Sequence, residues 1–377
     1  MCTRCAPLRL AAFGPRPGAD AFPAAGAADP RARWLAAVVL GGQGHYAAAA
    51  TVLRALLAHP HPLWGSLAAS TLASHRRQLG AHAAARHLDA LALRLATAGP
   101  YRPHADPDAV DPAGARTDAL IGLAADALGL GDLPTAHRLL AAAEPPAGSA
   151  ADKACPPAVS GVSAGSVGRV GRFGTACSPV GDGVLGVPVQ LADRPTAWRS
   201  AVRLGWVRAE LALAAGDAHA AVTPARDALR LADEVGAVRH GAKSRLVLAA
   251  ALHAAGEPRG ADELLHAAVA VAAEYGMVPL RWPAELLLAE LHGPPNPGAT
   301  ELYGGAEHGR RHRAAASAAL QLVLRRADVT LRTAAESSRW VPSEVLQTGD
   351  SAERSSAGEI LSEICTGLCQ GSTPRDR

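Results

Sequence analysis

Glycine and alanine recur along the chain in a helical pattern. Five glycines close apolar stretches, and each has an alanine seven residues before it and another five residues after it. The glycines are Gly44, Gly80, Gly131, Gly216 and Gly256; the first alanine column is Ala37, Ala73, Ala124, Ala209 and Ala249, and the second is Ala49, Ala85, Ala136, Ala221 and Ala261. A glycine that ends one helix, with small residues where two helices cross, predicts stacked antiparallel helix pairs.

The turn sequences resemble those of the tetratricopeptide repeat (TPR) family. Gly44-His45-Tyr46 followed by Ala49 matches the family's Gly-x-Tyr-x-x-Ala turn, and Gly216-Asp217 followed by Ala221 matches the same stretch. Glycine-to-glycine distances of 36, 51, 85 and 40 residues depart from the family's repeat length of about 34. The resemblance implies an all-α fold of helix pairs stacked as a TPR-like α-solenoid, whose concave face, lined by first helices, binds a peptide or a partner helix.

Breaks in the repeat pattern divide the chain into five segments. They are a disordered leader (1–30), a first block of helical repeats (31–146), a flexible insertion rich in glycine, serine and valine (147–194), a second block (195–293) and a mostly disordered tail (294–377). The second block is predicted to end in a capping helix over 280–291 that begins near Pro283. The tail is predicted to hold one or two amphipathic helices, within 313–335 and 359–368.

Composition agrees with an all-α fold. Alanine accounts for 88 of the 377 residues, and only 13 residues are aromatic. Alanine, leucine and arginine favour helices, whereas the scarcity of β-branched and aromatic residues disfavours a β-sandwich. Arginine outnumbers lysine by 35 to 2, which is typical of coding in a GC-rich genome.

The net charge and hydropathy disfavour nucleic-acid and membrane partners. The formal net charge is +3, too small to give the whole chain a strong electrostatic field. No run of about 18 apolar residues is free of charge, and the leader lacks a compact apolar core of signal-peptide length. We therefore expect a cytoplasmic protein without a membrane or nucleic-acid partner.

The cysteines allow two interpretations. Cys2 and Cys5 form one closely spaced pair, and Cys365 and Cys369 form another, so that a zinc site built from both pairs has the right ligand types. The pairs lie at opposite ends of the chain, and no adjacent histidine completes either set. This arrangement favours cysteines without a metal, and the sequence predicts no metal site.

Histidine and arginine clusters also receive structural interpretations. His308 and His312 have the spacing of metal ligands on a helix, but the intervening Arg310 and Arg311 would repel a cation. The stretch 309–313 and Arg76-Arg77 are interpreted as basic rims, because no aromatic residues interleave with them. Trp34, Trp206 and Trp282 recur near the starts of first helices and are predicted to pack against the preceding repeat.

No catalytic motif emerges. Gly41-Gly42-Gln43-Gly44 lacks the Lys-Ser/Thr ending of a phosphate loop and is interpreted as a helix–helix turn. We find no Ser-His-Asp set, no paired carboxylates with a plausible pocket and no dinucleotide fingerprint. The sequence therefore predicts no enzyme, no catalytic residue and no cofactor.

Two non-catalytic functions remain open. The first is a protein–protein interaction scaffold or adaptor that holds a partner peptide or helix, with an acidic segment preferred because several groove positions are arginine. The second is a regulatory or sensor module of the kind attached to bacterial transcription regulators, without its own DNA-binding domain. The predicted groove residues are His75, Arg76, Asp126, Arg208, Glu210, Arg245 and His253.

Overall fold

A computed structural model describes residues 5–98, 106–144, 197–293 and 305–346, and all regular secondary structure in these ranges is helical. The α-helices are α1 (Ala6–Phe13), α2 (Pro30–Gly42), α3 (Tyr46–Leu57), α4 (Pro62–Arg77), α5 (His82–Ala96), α6 (Pro112–Gly129), α7 (Leu133–Ala143), α8 (Trp198–Ala214), α9 (Ala218–Glu234), α10 (Val238–Ala254), α11 (Pro258–Glu274), α12 (Val278–Leu291), α13 (Gly305–Arg325), α14 (Val329–Glu336) and α15 (Ser343–Leu346). None of these helices combines the length and hydropathy needed to cross a bilayer.

Consecutive helices pair around the five glycines that the sequence singled out. The pairs are α2 with α3, α4 with α5, α6 with α7, α8 with α9 and α10 with α11. Each of the five glycines has a positive φ, from +74° at Gly80 to +84° at Gly256, which a residue without Cβ adopts most readily. All ten alanines of the two columns are fully buried. The predicted all-α fold and its helix pairing are therefore confirmed in the described ranges.

The pair formed by α8 and α9 shows why small residues are needed. A Cβ atom on Gly205 of α8 would lie 2.8 Å from the carbonyl oxygen of Pro224 and 3.0 Å from Cβ of Ala228, both on α9. The two backbones therefore approach too closely for a larger side chain at this position. Asp217 starts α9 by accepting a hydrogen bond of 2.9 Å from the backbone N–H of Ala220, which satisfies one free donor of the first turn.

We expect replacement of Ala209 by leucine to lower the free energy of unfolding by about 1–3 kcal/mol. Ala209 lies on α8 with no exposed surface, so the added methyl groups have no room. Urea unfolding followed by circular dichroism measures the change. Ala220→Leu, at an exposed position of α9, is the matched control and should change the stability by less than about 0.5 kcal/mol. Equal losses from the two variants would contradict the crossing role of Ala209.

The predicted capping helix is longer than expected and is followed by a partner. α12 begins at Val278 rather than near Pro283, because Pro279 in its first turn is compatible with a helix start. α12 then packs against α13, which makes a sixth pair. The stretch predicted as one tail helix within 313–335 forms two helices, α13 and α14, and its apolar positions Leu320, Val323 and Leu331 are buried. The second predicted tail helix, 359–368, lies outside the described residues.

The leader also differs from its prediction. Residues 5–29 include α1 and a short 3₁₀ helix, although disorder was predicted for 1–30. Phe13 is buried, with its ring centroid 5.8 Å from that of Trp34 and 6.5 Å from that of Trp198. The prolines of this segment suggested disorder, but the packing of Phe13 against Trp34 and Trp198 holds the segment against the core. The insertion predicted over 147–194 lies outside the described residues.

The helix stack closes on itself. The backbone N–H of Ala47 in α3 donates to the carbonyl oxygen of Arg326 at 2.8 Å, and the Arg326 side chain donates to the carbonyl oxygen of Gln43 at 3.2 Å. Arg54 and Asp328 form an ion pair of 2.6 Å between the same regions. The first helix pair is therefore joined to the end of the sixth. This closure directs the first helix of every pair towards one central space.

Candidate functional site

The closed stack surrounds a central cavity of about 830 Å³. The first helix of every pair, from α2 to α12, contributes to its wall, and Phe13 and Trp340 complete it. The wall is mostly apolar, with side chains such as Leu67, Ile121 and Leu246. A mostly apolar cavity of roughly 300–1,000 Å³ is typical of a small-molecule site.

The three tryptophans that recur in the sequence all line this cavity. Trp34 donates from its indole nitrogen to the Thr71 hydroxyl at 3.0 Å, and Trp206 donates to the Ser244 hydroxyl at 2.8 Å. Trp282 reaches the cavity from α12. Trp34 and Trp282 are buried, as a packing role requires, but Trp34 and Trp206 bond to the first helix of the following pair rather than to the preceding repeat. The same rings also present apolar surface to the cavity.

Two glycines at the end of α2 make room for polar side chains in the cavity wall. A Cβ atom on Gly41 would overlap the Nε2 atom of His75, and one on Gly42 would lie 2.8 Å from the Nε atom of Arg239. Both side chains therefore pack directly against the α2 backbone. Gly41 and Gly42 belong to α2, and Gly44, with a φ of +83°, makes the turn that the sequence predicted.

Arg239 supplies a positive charge to the cavity wall. It lines the cavity from α10, and its Nε atom is buried without a hydrogen-bond partner. Within the described ranges no carboxylate forms an ion pair with it. Burial lowers the pKa of Arg239, and the neighbouring charge of Arg203 lowers it further. A buried cation of this kind gains stability when an anionic group binds beside it.

The other cations of the wall have carboxylate partners. Arg199 lies 2.6 Å from Asp118, which also pairs with Arg203. Lys243 lies 3.2 Å from Glu210. Each of these cations therefore has a carboxylate partner, which Arg239 lacks in the described ranges, and Arg239 is the cation that is placed to meet an anionic ligand.

Arg77 joins two buried aspartates behind the cavity wall. Its Nη1 atom lies 2.5 Å from Asp89 and 2.8 Å from Asp126, and both carboxylates are 0% exposed. A Cβ atom on Gly122 would overlap the Asp89 carboxylate, so that glycine makes room for the cluster. Burial raises the pKa of Asp126 to about 7, with the Asp89 charge adding to the rise and Arg77 opposing it.

The imidazoles nearest this wall are neutral. Burial lowers the pKa of His75 to about 3, and the charge of Arg239 adds to the decrease. Burial likewise lowers the pKa of His82 to about 4, with a contribution from Arg77. His75 stacks on Tyr46 with 4.7 Å between the ring centroids. The Nδ1 atom of His75 is buried without a hydrogen-bond partner among the described residues, whereas that of His82 lies 3.9 Å from Asp126 Oδ1.

Three of the seven predicted groove residues line the cavity: His75, Glu210 and His253. Groove residues that bind a partner should be exposed, and for two of them this expectation is wrong. His75 and Asp126 become buried when the first helices converge. Asp126 lies behind Arg77.

The remaining three groove residues point away from the cavity. Arg76 lies against Asp328 and its neighbours, beside α14, in a small separate pocket. Arg208 pairs with Glu144 after α7, and Arg245 lies 3.0 Å from Asp233 of α9. The structure therefore does not bring the arginines of the predicted groove together on one surface.

The cavity cations were missed because a single sequence does not distinguish an inward arginine from an exposed one on a polar helix face. The glycines inside α2 and α6 were an available signal. Glycine in a helix interior costs about 1 kcal/mol relative to alanine, so it indicates a close neighbour. No protein-family model matches the chain, and no curated protein matches it significantly.

Proposed function

We propose that this protein is a non-catalytic, ligand-binding sensor module whose cavity takes an apolar, ring-containing molecule with one anionic group. The observation that carries the proposal is the cavity itself: a partly open, tryptophan-lined space of about 830 Å³ with Arg239 in its wall. Tryptophan and leucine side chains would contact the apolar body of the ligand. The Arg239 guanidinium would bind its anionic group.

The charges of the wall support an anionic rather than a cationic ligand. Asp118 already holds two arginines and Glu210 holds Lys243, so neither carboxylate is available to a cation. Arg239 Nε and the Nδ1 atoms of His75 and His253 are among the cavity-lining atoms without a hydrogen-bond partner in the described ranges. A carboxylate, sulfonate or phosphate of the ligand would accept hydrogen bonds from the Arg239 guanidinium.

A binding role fits these groups better than catalysis. His75 and His82 have pKa values of about 3 and about 4, too low for a general base that works near neutral pH. Asp118 is neutralised by its two arginines. The acid whose pKa of about 7 would suit proton transfer, Asp126, lies behind Arg77 and not in the cavity wall.

The cavity volume favours the sensor hypothesis over the scaffold hypothesis. An α-helix about 10 Å across would fill 830 Å³ with only about two turns. A partner helix long enough to be recognised by several repeats would therefore have to extend well beyond this cavity. A small molecule fits whole, and its binding would link all six helix pairs through their first helices.

We expect the fluorescent aromatic sulfonate ANS to bind the folded full-length chain at one site. The uncharged analogue N-phenylnaphthylamine should compete for the same space. Arg239→Gln should weaken ANS binding by about 10- to 100-fold and leave the uncharged analogue unchanged, because a hydrogen bond to a charged group contributes about 1.5–3 kcal/mol. Fluorescence titration measures both affinities.

Two further variants make this test specific. Arg226→Gln removes an exposed arginine on α9 and should leave both affinities unchanged. Ala250→Trp fills part of the cavity and should abolish binding of both probes. Cooperative unfolding of each variant verifies that it is folded. ANS affinity that is the same in wild type, Arg239→Gln and Ala250→Trp would refute the proposal.

A further inference from the structure

Three histidines from three different helices meet outside the cavity. His266 lies on α11, His292 follows the last residue of α12, and His312 lies on α13. Their metal-ligating atoms all lie within 4.8 Å of one another. The ring centroids are 5.7 Å apart for His292 and His312, 5.9 Å for His266 and His312, and 6.1 Å for His266 and His292.

From this cluster we propose a site for one divalent first-row transition metal ion, with Zn²⁺ as the ion of choice and the three imidazoles as ligands. Imidazole nitrogen suits zinc, and three histidines with a water in the fourth position make a tetrahedral set. Ligand nitrogens around a tetrahedral zinc lie about 3.4 Å apart. Small side-chain rotations of the exposed His266 and the half-buried His292 and His312 would close the remaining distance.

The hydrogen bonds around the cluster already orient two of the rings. The Nδ1 atom of His266 lies 3.0 Å from the backbone carbonyl oxygen of Asp262, and that of His312 lies 2.7 Å from the Glu285 carboxylate. Since both oxygens only accept, each Nδ1 atom carries the proton and each Nε2 atom keeps its lone pair. A second partner of this kind is the usual companion of a metal-bound histidine, because it fixes the tautomer and the ring orientation.

Carboxylates also give the site a favourable charge. Asp262 Oδ1 lies 2.7 Å from His292 Nε2, and Glu285 is buried beside His312. Arg311 is one of the two arginines expected to repel a cation. It forms an ion pair with Glu307 one turn away, which reduces this repulsion. Glu285 also pairs with Arg281 at 3.3 Å, so Asp262 supplies the main negative charge beside the three imidazoles, which suits a divalent cation.

The ion would join three helices whose ligands are far apart in the sequence. His266 and His312 are 46 residues apart, and α13 follows α12 across residues that the structure does not describe. A metal ion here would fix the first half of α13 against α11 and α12 in the last pairs of the stack. The inferred role is structural, and it is independent of what the cavity binds.

The test is Zn²⁺ titration of the metal-free full-length chain, with the metal alone as the probe. We expect wild type to bind one more equivalent of Zn²⁺ than His266→Ala, and we expect the affinity of this site to fall at least 100-fold in the variant. His266 is exposed, so its removal should leave the metal-free far-ultraviolet spectrum unchanged. His87→Ala removes an exposed histidine from α5 and should bind Zn²⁺ like wild type.

Two readouts separate this site from adventitious zinc. Zn²⁺ should raise the melting temperature of wild type and His87→Ala but not that of His266→Ala, because a ligand stabilises only the folded state that binds it. Co²⁺ at the site should absorb in the visible range without a thiolate-to-metal band, which excludes the cysteines as ligands. Equal stoichiometry and equal melting shifts for wild type and His266→Ala would overturn the proposal.

Discussion

Replacement of Arg77 by methionine is expected to lower the free energy of unfolding by about 3–5 kcal/mol at pH 8. Arg77 is the shared partner of Asp89 and Asp126, and it also donates to the carbonyl oxygen of Gly122 at 3.2 Å. Both carboxylates are fully buried. Without the guanidinium, two neighbouring negative charges would remain without their cation, which is the costly way to break a buried ion pair.

The pH dependence of this variant has a definite sign. Burial raises the pKa of Asp126 in the folded chain to about 7, above its ordinary value of 3.8. Between these values the folded state binds more protons than the unfolded state, so this group makes stability fall as the pH rises, by at most about 1.4 kcal/mol per pH unit. Loss of Arg77 raises the folded pKa further, so the destabilisation should be smaller at pH 5 than at pH 8.

Urea unfolding at the two pH values measures this effect. Arg226→Met, which removes an exposed arginine from α9, should change the stability by less than about 0.5 kcal/mol at either pH. Asp126→Asn should reduce the fall in stability between pH 5 and pH 7, because the titrating group is gone. A loss below about 1 kcal/mol in Arg77→Met at pH 8 would show that the cluster is not a buried ion-pair network.

The helix pairs could be predicted from the sequence because their rules are local. A glycine at each turn and an alanine five residues beyond it lie within one pair, so the pattern repeats at fixed offsets, as at Gly216 and Ala221. The ring closure has no such offset. The contact between Ala47 and Arg326 depends on the combined rotation of six successive helix pairs, and no local sequence pattern encodes that total rotation.

The same distinction explains which functional groups were missed. Arg239 points inward only because α2, which supplies Gly42 beside it, is brought against α10 by the closure. The three-histidine cluster draws His266 from α11, His312 from α13 and His292 from the residue after α12, whereas His308 and His312, which have metal-ligand spacing in the sequence, lie on a single helix. A site assembled across elements becomes visible only when the packing of those elements is known.

Asp108 illustrates how much of that packing depends on single polar residues, and Asp108→Ala is expected to lower the free energy of unfolding by about 3–5 kcal/mol. Its carboxylate is fully buried and accepts hydrogen bonds from Arg9 of α1 and, at 3.1 Å, from the indole nitrogen of Trp198 in α8. Its backbone oxygen accepts from Arg199 at 2.9 Å. One residue therefore ties the N-terminal helix and the start of the second repeat block to the first block.

The variant should also release α1. We expect trypsin to cut after Arg9 faster in Asp108→Ala than in wild type, because the carboxylate that faces Arg9 is gone. Asp227→Ala removes an exposed carboxylate from α9 and should leave both unfolding and cleavage unchanged. The double variant Arg9→Met/Asp108→Ala should be less destabilised than the sum of its single changes, since the two groups interact directly. Additive losses together with unchanged cleavage would mean that α1 is held by Phe13 and its aromatic neighbours rather than by this charge pair.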